Sequence, residues 1–171
     1  MLLSLALIGC SPTNPPPSND TLSAAQIMTL MHSAHLNGYS ELINDREYTL
    51  VTVDWIRGPF ADQFRLFLDK ENLWAYEPES NDCDKFAGWA RLFAQKLNNE
   101  TSNQGKRALA FGEFNYIKDD FNAKGGHAIN FGIIRNPKQT NDYQIIFFEP
   151  QTGKTVPLTK DEMDSCTAWI L

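Results

Sequence analysis

Basic residues are scarce in this chain, in which 15 Lys and Arg stand against 21 Asp and Glu, for a formal net charge of −6. A nucleic-acid-binding domain normally carries a basic surplus that meets the phosphates, so the charge argues against that class. Long apolar runs are lacking too, since no stretch approaches the ~18 residues that predict a transmembrane helix. The sequence therefore predicts neither a nucleic-acid partner nor a membrane-spanning helix.

Cysteine is also rare, with three residues, Cys10, Cys83 and Cys166. Because at most two of three cysteines can pair within one molecule, each needs its own explanation. The length of 171 residues suits one domain of the usual ~100–200 residues. The apolar content of 42% and the aromatic content of 12% are enough for one hydrophobic core and exclude a disordered chain.

The N-terminus offers an explanation for Cys10. Residues 1–9 are almost wholly apolar, and Leu7-Ile8-Gly9-Cys10 resembles the lipobox of a bacterial lipoprotein. We therefore expect a signal peptide over 1–9, a lipidated Cys10 followed by a Pro-rich tether over 10–20, and a folded domain over 21–171. This predicts a bacterial cell-envelope protein that is anchored to the membrane, most naturally the outer membrane, by lipid. A stray apolar N-terminus with a free cysteine is the alternative.

Hydrophobic periodicity predicts helices in the first part of the domain and strands in the second. The expected helices cover 24–37, with Thr21-Leu22-Ser23 as the capping segment and Gly38 as the end, then 61–70, and a third that Cys83 opens. An extended segment over 48–56 interrupts them. The later strands alternate in apolar residues, and 126–149 reads as an antiparallel hairpin around a turn at 136–142. A turn at 150–153 and a last helix capped by Thr159 and Glu162 follow. The predicted fold class is α+β with a mainly antiparallel sheet.

Three residues could carry nucleophilic chemistry. Cys83 is predicted at a helix N-terminus, where the helix dipole favours a thiolate. His127 begins a strand just after Gly125-Gly126, which lets the backbone pass close to another element. Glu149 ends the partner strand, and the hairpin arithmetic places it nearly opposite His127. The sequence therefore predicts a Cys-His-Glu triad of nucleophile, base and orienting acid.

The contexts of these residues resemble a known family. N-D-C-D-K-F-A, G-G-H-A-I-N-F and F-F-E-P-Q-T-G-K look like the papain-like C-terminal domain of mushroom agglutinin, a chimerolectin. The resemblance implies a papain-like fold, in which N-terminal helices and a catalytic helix pack on the sheet. It also implies a cysteine peptidase that cleaves peptide or protein substrates with Cys83, His127 and Glu149. The lectin module of the fungal protein has no counterpart in this chain, so sugar binding is not implied.

The same resemblance implies a calcium ion beside the triad. The matching positions are Asp84 and Gln151, with Asp82 as a further oxygen ligand nearby. Oxygen ligands of this kind suit Ca²⁺. Lys85 directly follows Asp84, at a position where a further acidic side chain would favour the ion more. Asn81 and Gln63 are candidate side-chain donors to an oxyanion.

Several alternatives remain open at this stage. The same triad serves a glutamine deamidase or a transglutaminase, because a thioester intermediate is common to all of these reactions. A non-catalytic papain-fold lipoprotein that binds a partner at the cell surface is the third hypothesis. A Cys83–Cys166 disulfide would favour this third hypothesis, because it would remove the nucleophile. An oxidising compartment allows such a bond.

Overall fold

The computed structural model describes residues 18–75, 82–101, 107–120, 123–136, 138–139 and 142–171. Within these ranges the chain forms five α-helices, a π-helical turn over Ile56–Phe60 and nine strands. The helices are α1 Ala24–Ser33, α2 Val53–Trp55, α3 Ala61–Glu71, α4 Cys83–Thr101 and α5 Lys160–Asp164. The strands are β1 Thr21–Ser23, β2 Ser40–Leu42, β3 Glu47–Thr49, β4 Ala108–Leu109, β5 Phe111–Asp120, β6 Ala123–Arg135, β7 Tyr143–Glu149, β8 Lys154–Val156 and β9 Cys166–Ile170.

Six of the described strands form the main sheet, in the order β2-β9-β5-β6-β7-β8. The β2/β9 pair is parallel, and the other neighbours are antiparallel. A small second sheet has the order β1-β3-β4. The prediction of an α+β fold with a mainly antiparallel sheet is confirmed. So is the 126–149 hairpin, in which Asn130 lies opposite Phe148.

The sheet has an apolar layer on each face. Because side chains alternate along a strand, β6 gives Ile129, Phe131 and Ile133 to one cluster and Ile134 to the other. The first cluster packs against α1, whereas the second packs against α3 and α4. The second cluster is rich in aromatic rings, and Phe60 contacts five of them at its centre. This aromatic layer fixes α3 and α4 on one side of the sheet.

Helix capping follows the sequence closely. Ser23 caps α1 through a capping box with Gln26, and Thr159 caps α5 through a box with Glu162. The predicted end of the first helix at Gly38 is wrong, since α1 ends at Ser33 and His35 turns the chain with a φ of 63°. A non-glycine residue in this left-handed region closes the helix before the glycine is reached.

The extended segment predicted over 48–56 is wrong in its second half. Strand β3 stops at Thr49, and Thr52 then caps a short helix by accepting a hydrogen bond from the amide of Trp55 at 3.1 Å. Two of the β-branched residues that predicted a strand, Val51 and Ile56, are instead buried as members of the second cluster. Tertiary packing outweighs local strand propensity here.

The predicted N-terminal features lie outside the described residues. They are the signal over 1–9, the lipidated Cys10 and nearly all of the tether, and they stay predictions. None of the helices in the described ranges has the length and apolar character needed to cross a membrane.

Candidate functional site

The end of the hairpin brings two of the predicted site residues together. His127 Nε2 lies 2.9 Å from Glu149 Oε2, and the two side chains are only 16% and 14% exposed. The His127 ring also packs edge-on against Tyr116, with 5.7 Å between ring centroids. Tyr116 belongs to the first apolar cluster. The imidazole is therefore held by a carboxylate on one side and an aromatic ring on another.

Glu149 also organises the turn that follows β7. Its Oε1 accepts a hydrogen bond from the amide of Gln151 at 3.2 Å. Its backbone carbonyl accepts from the amides of Thr152 at 3.2 Å and Gly153 at 2.9 Å. Gly153 adopts a φ of 69°, which an L side chain rarely adopts. One residue thus holds both His127 and the whole 150–153 turn.

The structure does not join Cys83 to this pair. The thiol opens α4 as predicted, and it is half-buried and free. The hydrogen bonds of the described residues include none between Cys83 and His127. Helix α4 is tied to the sheet at Asn130, which shares the α4-facing side of β6, whereas His127 lies on the alternate side with Ile129. Two members of the expected triad are in contact, and the nucleophile is not bonded to them.

The backbone at the two glycines before His127 does not lie close to another structural element. A Cβ atom placed on Gly125 or Gly126 would meet no atom within 4 Å. The expectation that they let another element pass close by is therefore wrong.

The alternative of a Cys83–Cys166 disulfide is also contradicted, because both thiols are free. Burial raises the pKa of the Cys166 thiol to about 11, and repulsion from Glu41 adds to this, as suits an inert core residue.

The expected calcium ligands are arranged as an internal charge cluster. Asp84 Oδ2 lies 3.1 Å from Lys85 Nζ, and its Oδ1 accepts from the Lys85 amide at 2.9 Å. A hydrogen bond between Asp82 and Asp84 lowers the pKa of Asp84 and raises that of Asp82. In the described part of the chain, no group of three or more His, Cys, Asp and Glu side chains is placed to hold a metal ion. With an ammonium group on Asp84 already, the donor set does not fit calcium.

The remaining candidates add little to a catalytic reading. Gln63 lies half-buried in α3. Asn81, the other candidate oxyanion donor, lies outside the described residues. Gln151 lies in the turn after β7 and lines a surface pocket.

A polar cluster under α4 was not predicted. Asn130 is fully buried, and its Nδ2 donates to the carbonyl groups of Ala87 at 2.9 Å and Gly112 at 3.0 Å. Burial raises the pKa of the nearby Glu113, against the opposing effect of Arg91, whose Nε lies 3.7 Å from its carboxylate. These residues fix the helix to the sheet, since Asn130 bonds to α4 and to β5 at once.

A polar pocket lies on the other side of the 150–153 turn. It is a cavity of about 360 Å³ between α3, the segment after it and the turn. We call it the Trp74 pocket, and its described lining includes Arg57, Asp62, Arg65, Trp74, Gln151 and Thr152. Trp74 is 39% exposed, and its indole N–H donates to Asp69. A half-exposed indole ring with a fixed edge therefore stands among side chains that can donate and accept hydrogen bonds.

The sequence signal for this pocket was weak. No local sequence pattern sets Trp74 apart from the other three tryptophans. Arg57 and Arg65 lie eight residues apart, on either side of the junction between the π-helical turn and α3. Only the fold brings them next to a turn that lies about 90 residues further along the chain.

Comparisons with known proteins bear on the fold. No protein-family model matches the chain, and no curated protein matches it. A solved structure described as a complex of PSL1a with E64 shares 21% identity, with a TM-score of 0.63, over 88% of this chain and 50% of that chain. A Polyporus squamosus lectin bound to a Neu5Acα2-6Galβ1-4GlcNAc epitope shares 22% identity, with a TM-score of 0.60, over 88% of this chain and 49% of that chain.

These comparisons correct the family assignment. The chain spans about half the length of the solved structures it resembles, and at this identity the likeness shows the fold alone. Both solved structures are of a lectin, and neither is described as a protease. The identification as a papain-like cysteine protease domain is therefore wrong, and the cysteine-peptidase assignment falls with it. The α+β class stands, and the papain-like detail of the prediction does not.

Proposed function

We propose that this domain binds carbohydrate non-catalytically through the Trp74 pocket. This develops the hypothesis of a surface-binding protein. The observation that carries it is a half-exposed indole ring among hydrogen-bonding side chains, on a fold shared with a lectin that is described as bound to a sugar epitope. Because the likeness covers about half of that lectin, the main support comes from the pocket itself.

The chemistry of the pocket suits a sugar. A pyranose ring has an apolar face of C–H groups, which packs against an indole, and a rim of hydroxyl groups, which exchange hydrogen bonds. Asp62 supplies acceptors, the arginines supply donors, and the amide of Gln151 supplies both. A cavity of about 360 Å³ is at the small end of ligand sites, large enough for one or two sugar rings.

A glycan panel tests the proposal. The wild-type domain would be screened against neutral and acidic oligosaccharides, including Neu5Acα2-6Galβ1-4GlcNAc, and the hits measured by calorimetry. Trp74→Ala is expected to weaken binding about tenfold, since the stacked ring is lost. Trp89→Ala is the matched control, because Trp89 is 37% exposed and lies on α4 outside the pocket. Equal affinity of the two variants, or no glycan bound by the folded wild type, would overturn the proposal.

The non-catalytic part needs its own test. Cys83→Ala is expected to keep full glycan affinity, because the thiol does not line the pocket. The wild-type domain would also be incubated with iodoacetamide, with E64 and with peptide substrates. Peptide cleavage that Cys83→Ala abolishes, with selective modification of Cys83 by either reagent, would contradict a purely binding role.

The same proposal places the domain at the bacterial cell envelope, with a lipid on Cys10. Its support is the lipobox-like Leu7-Ile8-Gly9-Cys10 and the Pro-rich residues that follow it. Expression of the full chain in a bacterial host, followed by fractionation, is expected to find it in the membrane fraction and Cys10→Ser outside it. Equal membrane content of both proteins would contradict lipid anchoring at Cys10.

A further inference from the structure

We infer that the Trp74 pocket selects sugars that carry a carboxylate, with Arg65 as the principal contact. The inference rests on the proposed function and adds the ligand class. It starts from the charged side chains that the described residues contribute to the lining, which are two guanidinium groups and one carboxylate. This excess of basic side chains among the described lining residues stands out on a chain with a formal net charge of −6.

The positive charge of Arg65 is not neutralised by an ion pair among the described residues. Arg65 has no ion pair or hydrogen bond to any other residue in the described ranges. Asp62 lies three residues earlier on α3, a spacing at which side chains are neighbours, yet the two do not form an ion pair within 4 Å. None of the described residues therefore occupies the guanidinium group of Arg65, which lines the pocket.

Arg57 is held in place beside it. Its Nε and Nη2 atoms donate to Thr155 Oγ1 at 2.9 and 2.7 Å. These bonds use two of the five N–H groups of a guanidinium and leave three for a ligand. A side chain that is already ordered loses less conformational entropy on binding, so Arg57 offers a preorganised positive charge at the pocket wall.

A planar carboxylate matches this arrangement. A guanidinium group binds a carboxylate through two parallel N–H···O bonds, and such charge-assisted bonds are about twice as strong as neutral ones. Trp74 then supplies the face for the sugar ring, and Gln151 supplies contacts to hydroxyl groups. Uronic and sialic acids share this combination of a ring and a carboxylate, so the inference names the class and not one sugar.

The sharpest test compares two ligands that differ in the carboxylate alone. Oligogalacturonate and its methyl ester have the same rings, and the ester has no charge. The wild-type domain is expected to bind the acid about tenfold more tightly than the ester at low salt, and this preference should shrink as added salt screens the charges. Equal affinity for the two would overturn the inference.

Variants locate the contact. Arg65→Gln should lose about tenfold in affinity for the acid and nothing for the ester, whereas Arg65→Lys should recover only part of the loss, because a lysine cannot form the paired bonds. Arg46→Gln is the control for the charge change, since Arg46 is exposed and lies outside the pocket. Asp62→Asn should raise affinity for the acid. Equal losses in Arg65→Gln and Arg46→Gln would mean that only net charge matters, and would overturn the assignment of Arg65.

The outcomes separate the inference from the proposed function. If neutral glycans bind in a Trp74-dependent manner and the acid has no advantage, the carbohydrate proposal holds and the carboxylate inference fails. If neither oligogalacturonate nor its ester binds and the glycan panel gives no hit, the proposed function itself fails. An oligoglutamate that binds as tightly as the sugar acid would contradict the sugar part of the inference.

Discussion

Two sites meet at the turn after β7, and they differ in how completely their polar groups are satisfied. The His127–Glu149 pair is largely buried, and both oxygens of the Glu149 carboxylate accept hydrogen bonds. The Trp74 pocket lies on the outer side of the same turn, and Arg65 has no partner in the described structure. A group that is already paired stabilises the fold, whereas an unpaired group is available to a ligand. We therefore assign a structural role to the His127–Glu149 pair and a ligand-binding role to the Trp74 pocket.

The largest effect is expected from removal of the carboxylate that joins the two sites. Glu149→Ala should lower the free energy of unfolding by about 2 kcal/mol, because His127 and the Gln151 amide lose a charged acceptor. Urea unfolding followed by fluorescence measures this. It should also weaken glycan binding, since the turn that forms one pocket wall loses its anchor.

A second His–Glu pair provides the control for this change. His32 Nε2 also lies 2.9 Å from Glu41 Oε2, but the His32 side chain is 46% exposed. Glu41→Ala should therefore cost less than about 1 kcal/mol, as is usual for exposed pairs. Similar costs for Glu149→Ala and Glu41→Ala would mean that the inner pair is not a structural anchor, and would break the comparison.

A smaller effect is expected from the backbone of the turn. Gly153→Ala should cost about 1–2 kcal/mol, because the position has a φ of 69° and an L residue is strained there. The space around Gly153 is open, so the cost comes from the backbone and not from a clash. Gly125→Ala, at a position that is equally open and has an ordinary φ, is the control. Thermal unfolding of the two variants measures the difference, and equal melting temperatures would contradict the strained turn.

The smallest effect concerns a carboxylate outside both sites. Burial raises the pKa of Glu113, so the folded state keeps its proton to a higher pH than the unfolded chain does. Its contribution to stability must then fall as pH rises from the ordinary glutamate pKa through the raised one. Glu113→Gln removes this titration and should flatten the pH dependence of the melting temperature in that window.

Glu100 supplies the control for Glu113, because its side chain is 55% exposed. Glu100→Gln makes the same chemical change on an exposed face of α4, so a flattening that is specific to Glu113→Gln is measured against it. If Glu113→Gln keeps the wild-type slope, burial of this carboxylate is not a source of pH dependence. Glu113 differs from Glu149 in this respect, because burial raises its pKa more than Arg91 and Asn115 lower it, whereas both carboxylate oxygens of Glu149 have hydrogen-bond partners.

Local sequence signals predicted much of the fold. The capping residues of α1 and α5, the start of α4 at Cys83 and the hairpin that ends in Glu149 all rest on contacts between residues close in sequence or on strand pairing around one turn. The hairpin arithmetic also placed His127 beside Glu149, because register fixes which residues face each other.

Long-range packing explains what the sequence did not predict. Val53 and Trp55 lie in a helix because Thr52 caps it and the aromatic cluster covers it, although their residue types favour a strand. The Trp74 pocket combines α3 with a turn that lies far along the chain, which no local pattern reveals. The triad hypothesis joined Cys83 to the His–Glu pair because each residue has a suitable local context, and local context does not fix how α4 is placed relative to the hairpin.

The most direct test of the central claim is the indole N–H signal of Trp74 in a ¹H–¹⁵N NMR titration. The chain has four tryptophans, so four indole signals are expected, and Trp74→Ala identifies the one that matters. We predict that oligogalacturonate shifts the indole N–H signal of Trp74 and leaves the backbone amide signals of Cys83 and His127 unchanged. Shifts of the backbone amide signals of Cys83 and His127 with a constant Trp74 indole signal would contradict it, because the ligand would then lie near those two residues and not in the Trp74 pocket.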